Sequence, residues 1–140
     1  MNLLKRDKIF VIEELENSTG AVEGLMCEPS EHHRVANYLE EQGYADIWER
    51  VAGQHNRIAV LKNVWIEEDS KGLGLGGELV EWFMMEAENR RMEAVYLVAD
   101  TLTDNSFNLI QWYESRGFVN ITDKTECPLM KWTSPYITDL

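Results

Sequence analysis

Basic charge, cysteine and long apolar runs are all scarce in this 140-residue chain, and each scarcity excludes something. Lys and Arg number 13 against 25 Asp and Glu, a formal charge of −12. That balance argues against nucleic acid as the main partner, because neutralising phosphates needs clustered cations. An acidic surface favours cationic small molecules or basic peptides, and it also keeps a protein soluble. No apolar stretch approaches the length of a membrane span, and the opening MNLLKRDK lacks the apolar core of a signal peptide. No membrane partner is expected. Cys27 and Cys127 stand 100 positions apart and form neither a metal motif nor a disulfide framework. They read as reduced thiols of a cytoplasmic protein. His32, His33 and His55 have no spacing that suggests metal ligands, so no metal is expected and these side chains are assigned to the surface. Repeats, low-complexity segments and linkers are absent too, so residues 1–140 are expected to form one domain.

Against that background one stretch stands out, RIAVLKNVWIEEDSKGLGLGG from Arg57 to Gly77. An apolar run from Ile58 to Ile66, interrupted by Lys62 and Asn63, leads into the acidic Glu67, Glu68 and Asp69. It ends in Gly72, Gly74, Gly76 and Gly77, four glycines within six residues. A strand that enters a glycine-rich turn and then a helix presents free backbone N–H groups at the helix start, a site suited to phosphate or pyrophosphate. Glycine lets the backbone bend sharply and lets an anion approach closely. Lys71 adds a positive charge beside the turn. A plain flexible turn is the alternative, and the density of glycine disfavours it.

Taken in order, Lys8–Leu15 reads as a strand, 16–20 as a turn and Ala21–Cys27 as the returning strand of a hairpin. Pro29, Ser30 and Glu31 open a helix whose Val35, Tyr38 and Leu39 share a face, and Gly43 stops it. Ala45–Ala52 reads as a second short helix. After the glycines, Leu79, Val80, Phe83 and Ala87 mark a helix running to about Arg91. Ala94–Ala99 is a strand covered on both faces. Asp104 and Asn105 can cap a further helix that Gly117 terminates. Phe118–Thr122 and Leu129–Thr133 are two last strands, expected to be antiparallel. The order gives an α/β fold, a mixed sheet with helices on its faces and one β–α–β unit.

Three glycine-rich motifs compete for the turn. A P-loop is excluded, because no Gly is followed by Lys and Ser or Thr in the required register. The dinucleotide fingerprint G-x-G-x-x-G is present as Gly72, Gly74 and Gly77, and Asp100 stands where a ribose-binding acid would. Two facts weaken it: five residues, Glu67 to Lys71, separate strand from first glycine, and too few strands follow. The third motif belongs to the Gcn5-related N-acetyltransferase (GNAT) family, which the chain resembles at two places. Lys71-Gly72-Leu73-Gly74-Leu75-Gly76 is similar to the family's acetyl-CoA motif, with Lys where Arg or Gln is usual. Trp112-Tyr113-Glu114-Ser115-Arg116-Gly117-Phe118 is similar to its L-Y-E-x-x-G-F signature. The two stand in the family's order and spacing, and the resemblance covers about residues 57 to 122.

The resemblance implies an α+β architecture: a mixed, mostly antiparallel central sheet flanked by helices, with a splayed central strand pair. It implies an acetyl-CoA-dependent N-acetyltransferase acting on a primary amine by direct attack in a ternary complex. Backbone groups at Val64 and Ile66 would pair with the pantetheine arm. Lys71, Gly72, Leu73, Gly74, Leu75, Gly76 and Gly77 would hold the pyrophosphate, and Asn105 takes the place of the family's asparagine. Tyr113 would protonate the departing thiolate, a buried core aromatic being its alternative. Asp100 is the candidate base, converging with Glu67 and Glu68 on a cationic amine. One departure concerns the helices of residues 30–52, which fall between hairpin and central strand rather than near the start. Substrate identity therefore does not transfer by analogy, and a homodimer is compatible with the sequence. Two other functions fit it less well: an acetyl-CoA-binding module without catalysis, and a small dinucleotide-binding protein.

Overall fold

The computed structural model describes residues 2–6, 9–13, 19–66, 75–102 and 108–136. The strands are β1 (Asn2–Arg6), β2 (Ile9–Glu13), β3 (Thr19–Cys27), β4 (Ile58–Ile66), β5 (Ala94–Val98), β6 (Phe118–Asn120) and β7 (Leu129–Thr133). The helices are α1 (His32–Glu41), α2 (Ala45–Val51), α3 (Leu75–Asn89) and α4 (Leu109–Ser115), with a short 3-10 turn at Pro29–Glu31 before α1. Among the described residues the strands form one sheet in the order β1-β2-β3-β4-β5-β7-β6. Every neighbouring pair is antiparallel except β4 and β5, which α3 connects as a parallel crossover. The expected mixed sheet is thus observed, with β1 added at its edge.

The apolar runs at Ile58–Leu61 and Ala94–Leu97 are the centre of the molecule, and alternation sends their side chains to two different cores. Ala59, Leu61, Val95 and Leu97 face α3 and α4, where they meet Leu79, Val80, Phe83 and Tyr113. Ile58, Val60, Ala94 and Tyr96 face α1 and α2, where they meet Val35, Tyr38, Leu39 and Ile47. Helices therefore cover both faces, as continuous apolar strands require. Gly24 of β3 permits the close approach of α3: a Cβ there would lie 2.5 Å from Phe83 Cε2 and 2.6 Å from the Val60 carbonyl oxygen. Gly43 and Gly117 follow α1 and α4 with φ of +85° and +95°, the left-handed turn-offs expected of them.

Two features of the middle strands shape everything that follows. First, Glu23 is opposite Asn63 while Gly24 is opposite Leu61, so Lys62 is an extra residue on β4, a β-bulge. Second, β4 pairs with β5 only from Ile58 to Leu61, then continues along β3 as far as Ile66. The two parallel strands part just where the bulge bends β4. His55 departs from the sequence expectation. It is 9% exposed, buried in the α2–β4 connection with Nδ1 3.7 Å from a Glu93 carboxylate oxygen.

Candidate active site

Where β4 and β5 separate, a cleft of about 620 Å³ opens on the α3 and α4 side of the sheet. Leu61 and Val64 of β4, Leu97 and Val98 of β5, and Val80 of α3 line its apolar depth. Its rim carries charge: Lys62 beside the bulge, Glu78 and Glu81 on α3, Asp100 beyond β5, and Arg116 just after α4.

Backbone direction along β4 follows from two observations. The Arg57 carbonyl accepts from Glu93 N–H at 2.7 Å, so Arg57, Ala59 and Leu61 turn their backbone groups toward β5. The extra residue at Lys62 then shifts the alternation by one, bringing Val64 and Ile66 to the same side, where β5 no longer pairs. The side chains agree, since Val64 packs in the same core as Ala59 and Leu61. Both positions singled out from the sequence thus face the gap with their N–H and C=O groups.

The glycine-rich turn is represented in part. Lys71, Gly72, Leu73 and Gly74 lie outside the described residues, as do Glu67, Glu68 and Asn105. Leu75 begins α3, and Gly76 and Gly77 follow in its first turn and line the cleft. The first-turn N–H groups of a helix are the ones left without intrahelical acceptors. Among the described residues a Cβ added at Gly76 would meet nothing within 4 Å, whereas one at Gly77 would come within 3.3 Å of Trp112 Cζ2.

The opposite wall is α4. Leu109, Trp112, Tyr113 and Arg116 recur at intervals of three and four, so one face of the helix and its continuation meet the cleft. Asn108 caps the helix, its side-chain oxygen accepting from Gln111 N–H at 3.0 Å. The cap is therefore nearer the helix than the Asp104–Asn105 pair that the sequence suggested. Tyr113 is 7% exposed and serves as both core aromatic and cleft residue. Its ring meets Trp112 and Phe118 edge-on, at centroid distances of 5.2 and 5.5 Å. Burial pushes its phenol up to about 12, so it stays protonated throughout the physiological range.

Asp100 lies two residues beyond β5, exposed on the rim, and its Oδ1 accepts from Leu102 N–H at 3.2 Å. Sequence reasoning missed Arg116, which forms an ion pair with Glu81 at 2.8 Å and lies over the Trp112 ring at 4.6 Å. Its signal was the spacing from Leu109, which continues the α4 face by one turn. Among the described residues no group of His, Cys, Asp and Glu side chains could hold a metal ion. No helix among them is long and apolar enough to cross a membrane.

Comparison with known proteins gives the same architecture. A mosquito arylalkylamine N-acetyltransferase (like 5b) superposes with a TM-score of 0.62 at 11% identity, over 91% of this chain and 74% of that one. A Drosophila melanogaster polyamine N-acetyltransferase superposes with a TM-score of 0.58 at 10% identity, over 91% and 74%. The NatC complex bound to Gag peptide and CoA contains a chain that superposes with a TM-score of 0.56 at 11% identity, over 90% and 70%. No curated protein sequence matches the chain. The profile of the acetyltransferase (GNAT) domain, however, matches residues 5–120. With that match across most of its length, a sheet that splays at β4 and β5, and a buried tyrosine facing the opening, the chain belongs to the GNAT family of acetyltransferases, whose acetyl donor is acetyl-CoA.

Proposed function

We propose that this acetyltransferase acylates a primary amine that carries positive charge, by direct attack in a ternary complex. The observation that carries the proposal is Tyr113, a buried and protonated phenol on the wall of the cleft between the parting strands. The donor supplies an activated acyl carbon and a thiolate leaving group. The residues present suit it, since β4 offers an unpaired backbone edge and Gly76 leaves open space at the start of α3.

In this proposal Val64 and Ile66 pair with the pantetheine arm as an added strand would. The N–H groups of Leu75, Gly76 and Gly77 hold the pyrophosphate together with Lys71, Gly72, Leu73 and Gly74, and Asn105 keeps the role implied by the resemblance. The Ile66 N–H, on the gap side, is suited to stabilise charge developing on the carbonyl oxygen. The deprotonated amine forms the new C–N bond as the C–S bond breaks. Sulfur takes the electron pair and Tyr113 gives it a proton. Asp100 receives the amine's proton through water, and the phenol is reprotonated from solvent.

The preference for a cationic acceptor rests on the charge of −12 and on Glu78, Glu81 and Asp100 around the cleft. Similar folds include an arylalkylamine N-acetyltransferase and a polyamine N-acetyltransferase, which accords with it. The test is thiol release from acetyl-CoA over a panel of cationic and neutral amines at two salt concentrations. Cationic amines are expected to react with the lower KM, rising with salt. Thiol release from neither class, or stabilisation by NAD rather than acetyl-CoA, would refute the proposal.

A further inference from the structure

Tyr38 belongs to α1, on the face of the sheet opposite the cleft, and is 4% exposed. Its hydroxyl nevertheless accepts a hydrogen bond of 3.2 Å from the backbone N–H of Val98, which lines the cleft. The direction of that N–H matters. Ala99 donates to the Pro128 carbonyl, so alternation along β5 points the Val98 N–H the other way, toward β4. In a parallel pair the residue after the facing one donates to the carbonyl opposite, so with Leu61 opposite Leu97 the Val98 N–H is the last β5 amide directed at β4, and Tyr38 shares it. The hydroxyl of Tyr38 therefore meets β5 at the opening of the gap. Tyr113 is near enough from the far side that ionising one phenol disfavours ionising the other.

An open gap between two strands offers an incoming extended chain two edges, and a thioester bound in the wrong register is not delivered to Tyr113. We propose that Tyr38 is a positioning residue for acetyl transfer, engaging the β5 edge at Val98 so that the pantetheine arm pairs with β4 alone. The proposal rests on the acetyl-CoA site described above and gives the helices of residues 30–52 a part in it. Tyr38 touches neither donor nor acceptor in this scheme; it acts through Val98.

Two experiments test it. In the wild-type protein, amide hydrogen exchange is followed with and without CoA. Protection is expected to rise at Val64 and to stay unchanged at Val98, because Tyr38 and the last β4–β5 pair already hold that amide. A gain at Val98 on binding CoA overturns the proposal while leaving the acetyl-CoA site intact. Absence of any CoA binding refutes the site itself, and the proposal with it. In Tyr38→Phe, which keeps the ring in the core, Val98 exchange is expected to quicken in the free protein and to slow again with CoA. kcat is expected to fall about tenfold or more through misplacement of the thioester, with the Kd for CoA within about threefold of wild type, since one edge contact replaces another. Wild-type kcat in the folded variant, or unchanged Val98 exchange, overturns the proposal. If that variant does not fold, Tyr38→His, which keeps a ring without the hydroxyl's reach, is put to the same exchange and kcat measurements, with the same outcomes deciding.

Discussion

Replacing Tyr113 by Phe separates the two roles the residue holds. The ring packs between Trp112 and Phe118, and Phe keeps that packing, so the variant should fold. Its stability should lie within about 1 kcal/mol of wild type, the usual net worth of one hydrogen-bonding group. What disappears is a proton donor at the cleft wall. General acid catalysis contributes about a hundredfold or more, so kcat should drop by about that factor while the Kd for acetyl-CoA changes little. The wild-type phenol is held neutral up to about 12, so it cannot set an alkaline limb in the rate between pH 7 and 10. The variant, left to solvent for its proton, should slow further as that range is ascended. The assay is continuous detection of released thiol across that range, at saturating acetyl-CoA and amine. A folded variant with wild-type kcat and an identical pH profile would show that Tyr113 only fills the core, with water protonating the thiolate.

Gly76→Glu should separate binding from folding in the opposite sense. A Cβ at Gly76 meets nothing among the described residues, and helix propensity and the N-terminal dipole favour Glu there by about 1 kcal/mol, so Tm should hold or rise. The same carboxylate would fill the anion site, and the Kd for acetyl-CoA should rise about a hundredfold or more by calorimetry; unchanged affinity would place the pyrophosphate elsewhere. The fold should also weaken in alkali. Tyr38 and Tyr113 ionise at about 12 when folded against 10.0 when exposed, so the stability each confers is fully present below pH 10 and lost as pH rises toward 12. The loss amounts to about 2–3 kcal/mol per phenol. Tm should stay flat from pH 8 to 9 and fall above 10. Phenolate absorbance of the folded protein accounting for every tyrosine near pH 10 would contradict the burial on which both roles depend.

Much of this was legible in the sequence because the relevant residues obey simple periods. The nearly continuous apolar run of β5 announced a strand covered on both faces, and Leu79, Val80, Phe83 and Ala87 marked one face of α3. The features that were not legible depend on long-range placement. β1 is short, and only Leu3 and Leu4 of its NLLKR are apolar, so pairing with β2 rather than propensity establishes it. Asn108 caps α4 through its side-chain oxygen, which accepts from Gln111 N–H, whereas Asp104 and Asn105 lie outside the described residues. Tyr38 reads as an ordinary member of an amphipathic face with Val35 and Leu39. Nothing local says that its hydroxyl reaches the backbone of β5, since the partner amide stands 60 residues away.

The bulge at Lys62 ties these observations together. Without it, alternation would turn Asn63 toward the α3 core and leave Val64 facing α1 and α2. With it, Lys62 and Asn63 are both exposed and Val64 returns to the core beside Val22, its partner on β3. The same inserted residue carries the backbone groups of Val64 and Ile66 to the side that β5 has vacated and adds the local twist that takes β4 away from it. Opposite the bulge sits Gly24, where a side chain would strike both Phe83 and the Val60 carbonyl. Strand β3 therefore stays close to α3 while β4 bends. The cleft is a consequence of the sheet's own register: one unpaired residue on β4, facing a glycine on β3, opens an edge that a ligand can complete.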